Sequence, residues 1–196
     1  MMLQAVRREK KCKACPTRFT PSRPLQVACC PACAQAIAQR NREKAEKRAA
    51  TIEKQKTRAA LEALKTVPQL MAEADLAFCA WVRARDAGLP CICCGEVAKS
   101  AALTGGEWDG GHYRSRGAAS HLRYDPRNCH AQRKQCNRRA FDTASYRANL
   151  IGRIGLEAVE ALEQDNRTHK WTRDELREIR DTYREKLREL LKARRS

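Results

Sequence analysis

Apolar residues fall at helical spacing in two stretches of this chain and nearly vanish from a third. After Pro68, Leu70, Ala74, Ala77, Phe78, Trp81 and Val82 recur every three or four positions until Gly88 and Pro90 stop the pattern. Because 3.6 residues complete a turn, that spacing gathers them on one face and predicts a helix packed on the region that follows, with Trp81 in the core. A second apolar set, Leu150, Ile151, Ile154, Leu156, Val159 and Leu162, begins soon after Asp142. Beyond it, Thr172-x-x-Glu175 reads as a capping box opening another helix, striped by Leu176, Ile179, Tyr183, Leu187, Leu190 and Leu191 and ending in Lys192, Arg194 and Arg195. Residues 143–196 are thus expected to form a helical pair, packed on itself, on the Trp81 helix or on a second copy of the chain. From 34 to 66, Ile37, Ile52, Leu61 and Leu64 are the only aliphatic side chains larger than Ala among Ala, Gln, Glu, Lys and Arg. Helix propensity is high there, but the apolar positions are too sparse for a coiled-coil seam, so the reading is a solvated basic linker helix, either a spacer or an arm that tracks phosphates.

Composition explains what such a pattern needs for support. Only 5% of the 196 residues are aromatic and 32% are charged, so helix packing and metal are expected to carry stability rather than one thick core. The formal charge of +17 attracts polyanions, of which nucleic acid is the expected one. No run of about 18 apolar residues and no signal-peptide pattern occurs, so the expectation is a soluble cytoplasmic protein without membrane contact. Eleven cysteines in such a chain point to thiolate metal sites rather than disulfides. Cys79, within an apolar pattern, reads as a small buried hydrophobe.

Two stretches carry candidate chemistry. In residues 10–33, Cys12-x2-Cys15 is followed by Cys29, Cys30 and Cys33 with prolines between, the pattern of a small zinc ribbon or knuckle in which Cys29 or Cys30 supplies the remaining thiolate. The second stretch runs from Cys91 to Asn137 and contains CICCG, WDGGHYRSRGA and LRYDPRNCHAQRKQCN. Cys91-x2-Cys94-Gly95 is a knuckle pair, and Cys136 belongs to the returning half of that site. Between them stand Asp109, His112 and Asn128 among Arg114, Arg116, Arg123, Arg127, Arg133, Lys134, Arg138 and Arg139. Phosphodiester hydrolysis needs a base for water, a hard cation such as Mg2+ or Mn2+, and cations that grip phosphate. His112 suits the base, an Asn or carboxylate oxygen suits the cation or the orientation of the ring, and the basic residues suit DNA phosphates. His121 and His169 lack motif support and read as surface or structural residues.

The Cys-x2-Cys pair, the His before a Gly-bearing loop and the closing Cys-Asn resemble the HNH, or ββα-metal, nuclease fold. CICCG, WDGGHYRS, LRYDPRNCHAQRKQCN, YRANLIGRIGLEAVEALE and HKWT, with the N-terminal CKACPTRFTPSRPLQ and CPACA, resemble the NinG/Rap recombination nucleases of lambda-type bacteriophages over nearly the whole chain. The resemblance implies a phage-encoded, structure-specific endonuclease for branched or single-strand-containing DNA, such as Holliday junctions and D-loops. It makes His112 the general base, Asn128 the residue that orients it, Asn137 or His130 a ligand of the catalytic cation, and Asp109 the acid of the WD-x-x-H motif. It also implies a Cys where this chain has Arg133, so the central zinc site either recruits Cys129, His130 or Cys93 or is weakened. The resulting expectation is an α+β, mostly helical chain. Its parts are a zinc ribbon (10–33), a basic helical linker (34–66), an HNH-like core with its leading helix (69–142) and a C-terminal helical region (143–196). One or two structural Zn2+ ions are expected. A homodimer would suit paired cuts across a two-fold junction. The alternatives are a non-catalytic zinc-containing recombination accessory protein and a scaffold recruiting phage or host recombination proteins through 143–196.

Overall fold

The computed structural model describes residues 8–97, 106–138 and 142–195. Two compact units make up the chain, Met1–Leu64 and Lys65–Ser196. In the first, β1 (Lys10–Lys11) and β2 (Arg18–Phe19) pair antiparallel, Lys10 opposite Phe19 and Lys11 opposite Arg18. So short a hairpin has almost no apolar face, and Cys12 and Ala28 are the buried apolar residues around it. The helix α1 (Pro31–Ala63) follows, with Pro31 in its first turn, where a missing N–H removes no helix bond. None of its 33 residues is buried, and at 1.5 Å per residue it runs about 50 Å. Propensity and solvated charge alone hold such a helix, as the sparse apolar pattern implies.

The second unit begins with α2 (Val67–Arg85). Thr66 and Gln69 form a capping box at its start, and Leu70, Ala74, Ala77, Phe78, Val82 and Ala84 are buried, the face that the spacing predicts. α6 (Arg173–Ala193) lies against it, with its own Thr172–Glu175 capping box. Phe78 meets Tyr183 edge-on at 4.7 Å between ring centres, and half-buried Trp81 packs on the same cluster. Thus the two stretches separated in the sequence reading at residue 142 share one unit, since α6 covers α2.

Residues 143–196 hold three helices rather than the expected pair. Gly155, at φ +86, ends α4 (Thr143–Ile154), and α5 (Leu156–Gln164) starts in a new direction. A positive φ there costs glycine little, whereas any side chain would be strained. The apolar set survives the break because Leu150 of α4 still meets Val159 and Leu162 of α5, together with Ile92, Ala119, Leu122 and Tyr146.

At the centre, β3 (Trp108–His112) pairs antiparallel with β4 (Cys129–Arg133), from Trp108 opposite Arg133 to His112 opposite Cys129. The connection between them contains a 3-10 turn, Ser120–Tyr124, and β4 runs directly into α3 (Lys134–Arg138). Strand, strand and helix follow in order. A Cβ on Gly111 would stand 2.9 Å from the Cβ of buried Gln132, and one on Gly110 would stand 3.0 Å from Cys79 Sγ, so the paired glycines let β4 and α2 close on β3.

Candidate active site and metal centres

Two cysteine groups assemble. The sulfurs of Cys12, Cys15, Cys29 and Cys33 all lie within 4.8 Å of one another. Cys15 Sγ to Cys29 Sγ and Cys29 Sγ to Cys33 Sγ are each 3.6 Å, against about 3.8 Å for sulfurs around a tetrahedral ion with Zn–S bonds of about 2.3 Å. The spacing and all-thiolate chemistry fit Zn2+. The Ala14 N–H bond to Cys12 Sγ leads the effects that pull that thiol down to about 6, whereas neighbouring thiols push Cys29 up to about 11 and Cys33 up as well. Of the two cysteines left open by the sequence, Cys29 joins the group, whereas Cys30 is the exposed residue that starts α1.

The central group contains Cys91, Cys94 and Cys136. Of the three substitutes offered, Cys93, Cys129 and His130, none joins it within 4.8 Å. Cys129 is fully buried on the other side of β4, its Sγ 3.9 Å from His112 Nδ1 and near Cys79. His130 is held elsewhere as well: its Nε2–H donates to the Arg127 carbonyl at 3.2 Å, and its Nδ1 faces the guanidinium groups of Arg85 at 3.1 Å and Arg153 at 3.4 Å. The ring and both guanidiniums surround buried Asp86, which also accepts from the Ala131 N–H at 2.8 Å. Burial would raise the Asp86 carboxyl, but the bonds from His130, Arg85 and Ala131 outweigh it and hold the group far below the carboxylate range. His130 is therefore engaged with the Asp86 cluster and stands outside the Cys91, Cys94 and Cys136 group.

On the opposite face of the hairpin, Cys79, Arg83, Asp109, Gly110, His112, Ser115, Arg116, Asn137 and Arg138 line a cleft of about 450 Å³. Three elements and the β3–β4 connection supply it. Asp75, Cys79 and Arg83 are spaced four apart, hence on one side of α2. Asp109 and His112 come from β3, and Asn137 and Arg138 from α3. His112 Nε2–H donates to the Arg123 carbonyl at 2.8 Å, which leaves Nδ1 with the lone pair. Burial lowers the pKa of His112, opposed by that carbonyl and reinforced by Arg116, so the ring is kept neutral, the form a base requires. Asn137 Nδ2 and Arg138 Nε both reach Asp109 Oδ2, each at 3.3 Å. A carboxylate and an amide side by side offer oxygen donors that fit a hard divalent cation, once the Asn137 amide turns its oxygen inward.

Asn128 does not touch His112. Fully buried, it accepts from the Arg114 N–H at 2.8 Å and donates to the carbonyls of Arg114 and Leu122 at 3.0 and 3.1 Å. It ties the β3–β4 connection together and so fixes the carbonyl of Arg123, next to Leu122, under the imidazole. Orientation of His112 comes through that backbone.

Most of the basic residues expected to grip phosphate are engaged internally. Arg114 donates to the carbonyls of Leu162 and Glu163 and to Asn166, tying α5 to the hairpin. Arg123 makes a two-pronged pair with Asp75, which also holds Arg116 at 2.9 Å. Arg127 folds back on Asp125, and Arg133 pairs with Glu96. Lys134 opens α3. Arg139 lies outside the described residues. Arg116 and Arg138 do line the cleft, joined by Arg83, which sequence reasoning missed; its Nε is buried without a hydrogen-bond partner among the described residues. The polar spacing Asp75, Cys79, Arg83 along the predicted helix was the available signal. Cys79, expected as a plain core residue, is half-buried at the cleft floor. His121 and His169 stand against Asp165 and Glu175, as structural residues do. Among the described residues no helix is long and apolar enough to cross a membrane.

The family model described as bacteriophage lambda NinG protein matches residues 4–193. The chain is 39% identical over 197 residues to Protein ninG of Escherichia phage 933W, covering 94% of this chain and 95% of that one. It is 38% identical to Protein ninG of Salmonella phage P22, over 98% of each chain. With Protein ninG of Escherichia phage lambda it shares 37% identity over 99% of this chain and 98% of the relative. No solved structure matches.

Proposed function

The chain belongs to the bacteriophage lambda NinG protein family, and from that premise we propose that it is a structure-specific endodeoxyribonuclease acting on branched recombination intermediates such as Holliday junctions and D-loops. One observation carries the reading: a neutral, backbone-oriented His112 shares a cleft with Asp109, Asn137 and three arginines on a strand–strand–helix unit. HNH nucleases use that order of elements. The preference for branched DNA rests on the resemblance of the motifs, and the charge of +17 supplies the general attraction to DNA.

In this mechanism Arg83, Arg116 and Arg138 seat the scissile phosphate, guanidinium to phosphate oxygen. His112 Nδ1 takes a proton from the attacking water, while the Nε2–H bond to Arg123 steadies the ring and the charge it acquires. Mg2+ or Mn2+, held by Asp109 and the Asn137 side-chain oxygen, would neutralise charge that builds on the phosphate and leaving oxygens. Asn128 keeps the Arg123 carbonyl in place as the ring changes charge.

The test is incubation of the full chain with a four-way DNA junction and Mg2+ or Mn2+. Metal-dependent nicking is expected in the wild type. His112→Ala should lose roughly 10²- to 10⁴-fold in rate while binding the junction as before. Binding without nicking by the wild type would instead mark a DNA-binding accessory protein.

A further inference from the structure

The central thiolate group differs from the ribbon in what occupies its fourth corner. Three sulfurs, those of Cys91, Cys94 and Cys136, stand within 4.8 Å of one another. Where a returning knuckle would carry its other cysteine, Arg133 donates its backbone N–H to Cys91 Sγ at 3.3 Å and pairs its guanidinium with Glu96. Among the described residues no fourth Cys, His, Asp or Glu ligand atom joins the three sulfurs. Cys129 lies across β4 beside Cys79, and both nitrogens of His130 are engaged. Cys93 is buried beside Cys91 and Cys136, but its sulfur does not join the group within 4.8 Å, and its thiol faces the Asp142 carbonyl at 4.0 Å. The Glu96 carboxylate is taken by Arg133. Cys94 itself is exposed, so solvent reaches the group.

We infer that this site takes one thiophilic divalent metal, Zn2+ by chemistry, through three cysteine thiolates, and leaves its fourth coordination position to a small ligand from solution, either water or a thiol. Closed four-ligand zinc sites are structural and slow to exchange, whereas three protein ligands leave a position at which ligands come and go. The chain would then hold two unlike metals, one locked in the ribbon and one exchangeable beneath α3. The exchangeable metal still joins the CICCG turn to α3, the helix that carries Asn137 and Arg138. The proposal concerns metal coordination and stands or falls independently of nuclease activity.

Its test is Co2+ titration of the metal-free full chain, read by thiolate-to-cobalt charge-transfer absorption, followed by addition of β-mercaptoethanol. Two equivalents should bind: the first with four-thiolate intensity and no response to the added thiol, the second with lower intensity that rises when thiol is added. With zinc in both sites, a chelator should remove one equivalent in a separate, faster phase than the other. Arg133→Cys should make the second equivalent match the first and abolish the thiol response. Two thiol-insensitive equivalents in the wild type would mean that Cys93 or another donor closes the site and would overturn the inference, as would uptake of a single equivalent. The wild-type titration decides the matter even if the variant does not fold.

Discussion

The two faces of the β3–β4 hairpin each carry a histidine, and the pair teaches what separates a base from a brace. His112 and His130 sit on adjacent rungs, and each points Nε2 at a backbone carbonyl, that of Arg123 or that of Arg127. The difference lies at Nδ1. On the His130 face two guanidiniums consume it, beside the buried Asp86 carboxylate, so the ring locks α2, β4 and α4 together. On the His112 face, among the described residues, Nδ1 has a weak thiol neighbour, Cys129 Sγ at 3.9 Å, and the cleft. The same side chain thus becomes structure where its lone pair is spent and chemistry where it is spare.

The largest effect that would sharpen the contrast is on stability. Asp86→Ala removes the acceptor shared by Arg85, Arg153, His130 and the Ala131 N–H, and strands buried positive charge. Breaking a buried pair in this way costs about 3 to 5 kcal/mol, so a denaturant midpoint should fall steeply. His112→Ala, whose ring makes one backbone bond, should lower the midpoint by less than Asp86→Ala does. An Asp86→Ala protein that unfolds like the wild type yet no longer nicks junctions would erase the division between the faces.

That division could be read only partly from the sequence. Apolar spacing placed α2 and its buried face correctly, and capping chemistry marked the start of α6, because both signals are local. The thiolate ribbon was equally legible, since four cysteines at short spacing have few other uses. By contrast, His112 and His130 look alike in one dimension. What distinguishes them is Asp86 and Arg153, 44 residues before and 23 after His130 in the chain, and no local pattern announces such partners. The same holds for Arg114 and Arg123, taken for phosphate grips until the structure spends them on α5 carbonyls and Asp75. Gly155 was visible as a glycine, but a continuous apolar stripe hid the break, because the chain turns there and keeps burying the same face.

A smaller effect tests the cleft side. Arg83 brings a guanidinium to the cleft with its Nε buried and unpartnered among the described residues, whereas Arg114 serves as a tie between hairpin and α5. A hydrogen bond to a charged group is worth about 1.5 to 3 kcal/mol, so Arg83→Ala should slow junction cleavage by roughly 10- to 100-fold with little change in the unfolding midpoint. Arg83→Lys should recover part of the loss, keeping charge but not the two-pronged grip. Arg114→Ala should do the reverse, loosening α5 and lowering the midpoint. If Arg83→Ala cleaves at the wild-type rate, phosphate is seated by Arg116 and Arg138 alone.

The smallest effect lies in the pH profile, and its sign follows from His112. An imidazole acts as a base only when neutral, so cleavage must fail as falling pH protonates it. Burial, the largest influence, holds the His112 pKa below the ordinary 6.5, so the folded ring resists protonation longer than a free one. The rate of cleavage should therefore stay flat as pH falls through 6.5 and decline only below it. The same shift makes a stability statement of matching sign. Below 6.5 the unfolded chain binds a proton at this residue that the folded chain does not, so stability is whole above that value and is lost as pH falls toward the folded pKa. His112→Gln should remove that part of the loss. A cleavage rate already halved at pH 6.5, measured with saturating metal on the four-way junction, would mean that the ring is as open to water as any surface histidine, and the buried base on the cleft face would have to be abandoned.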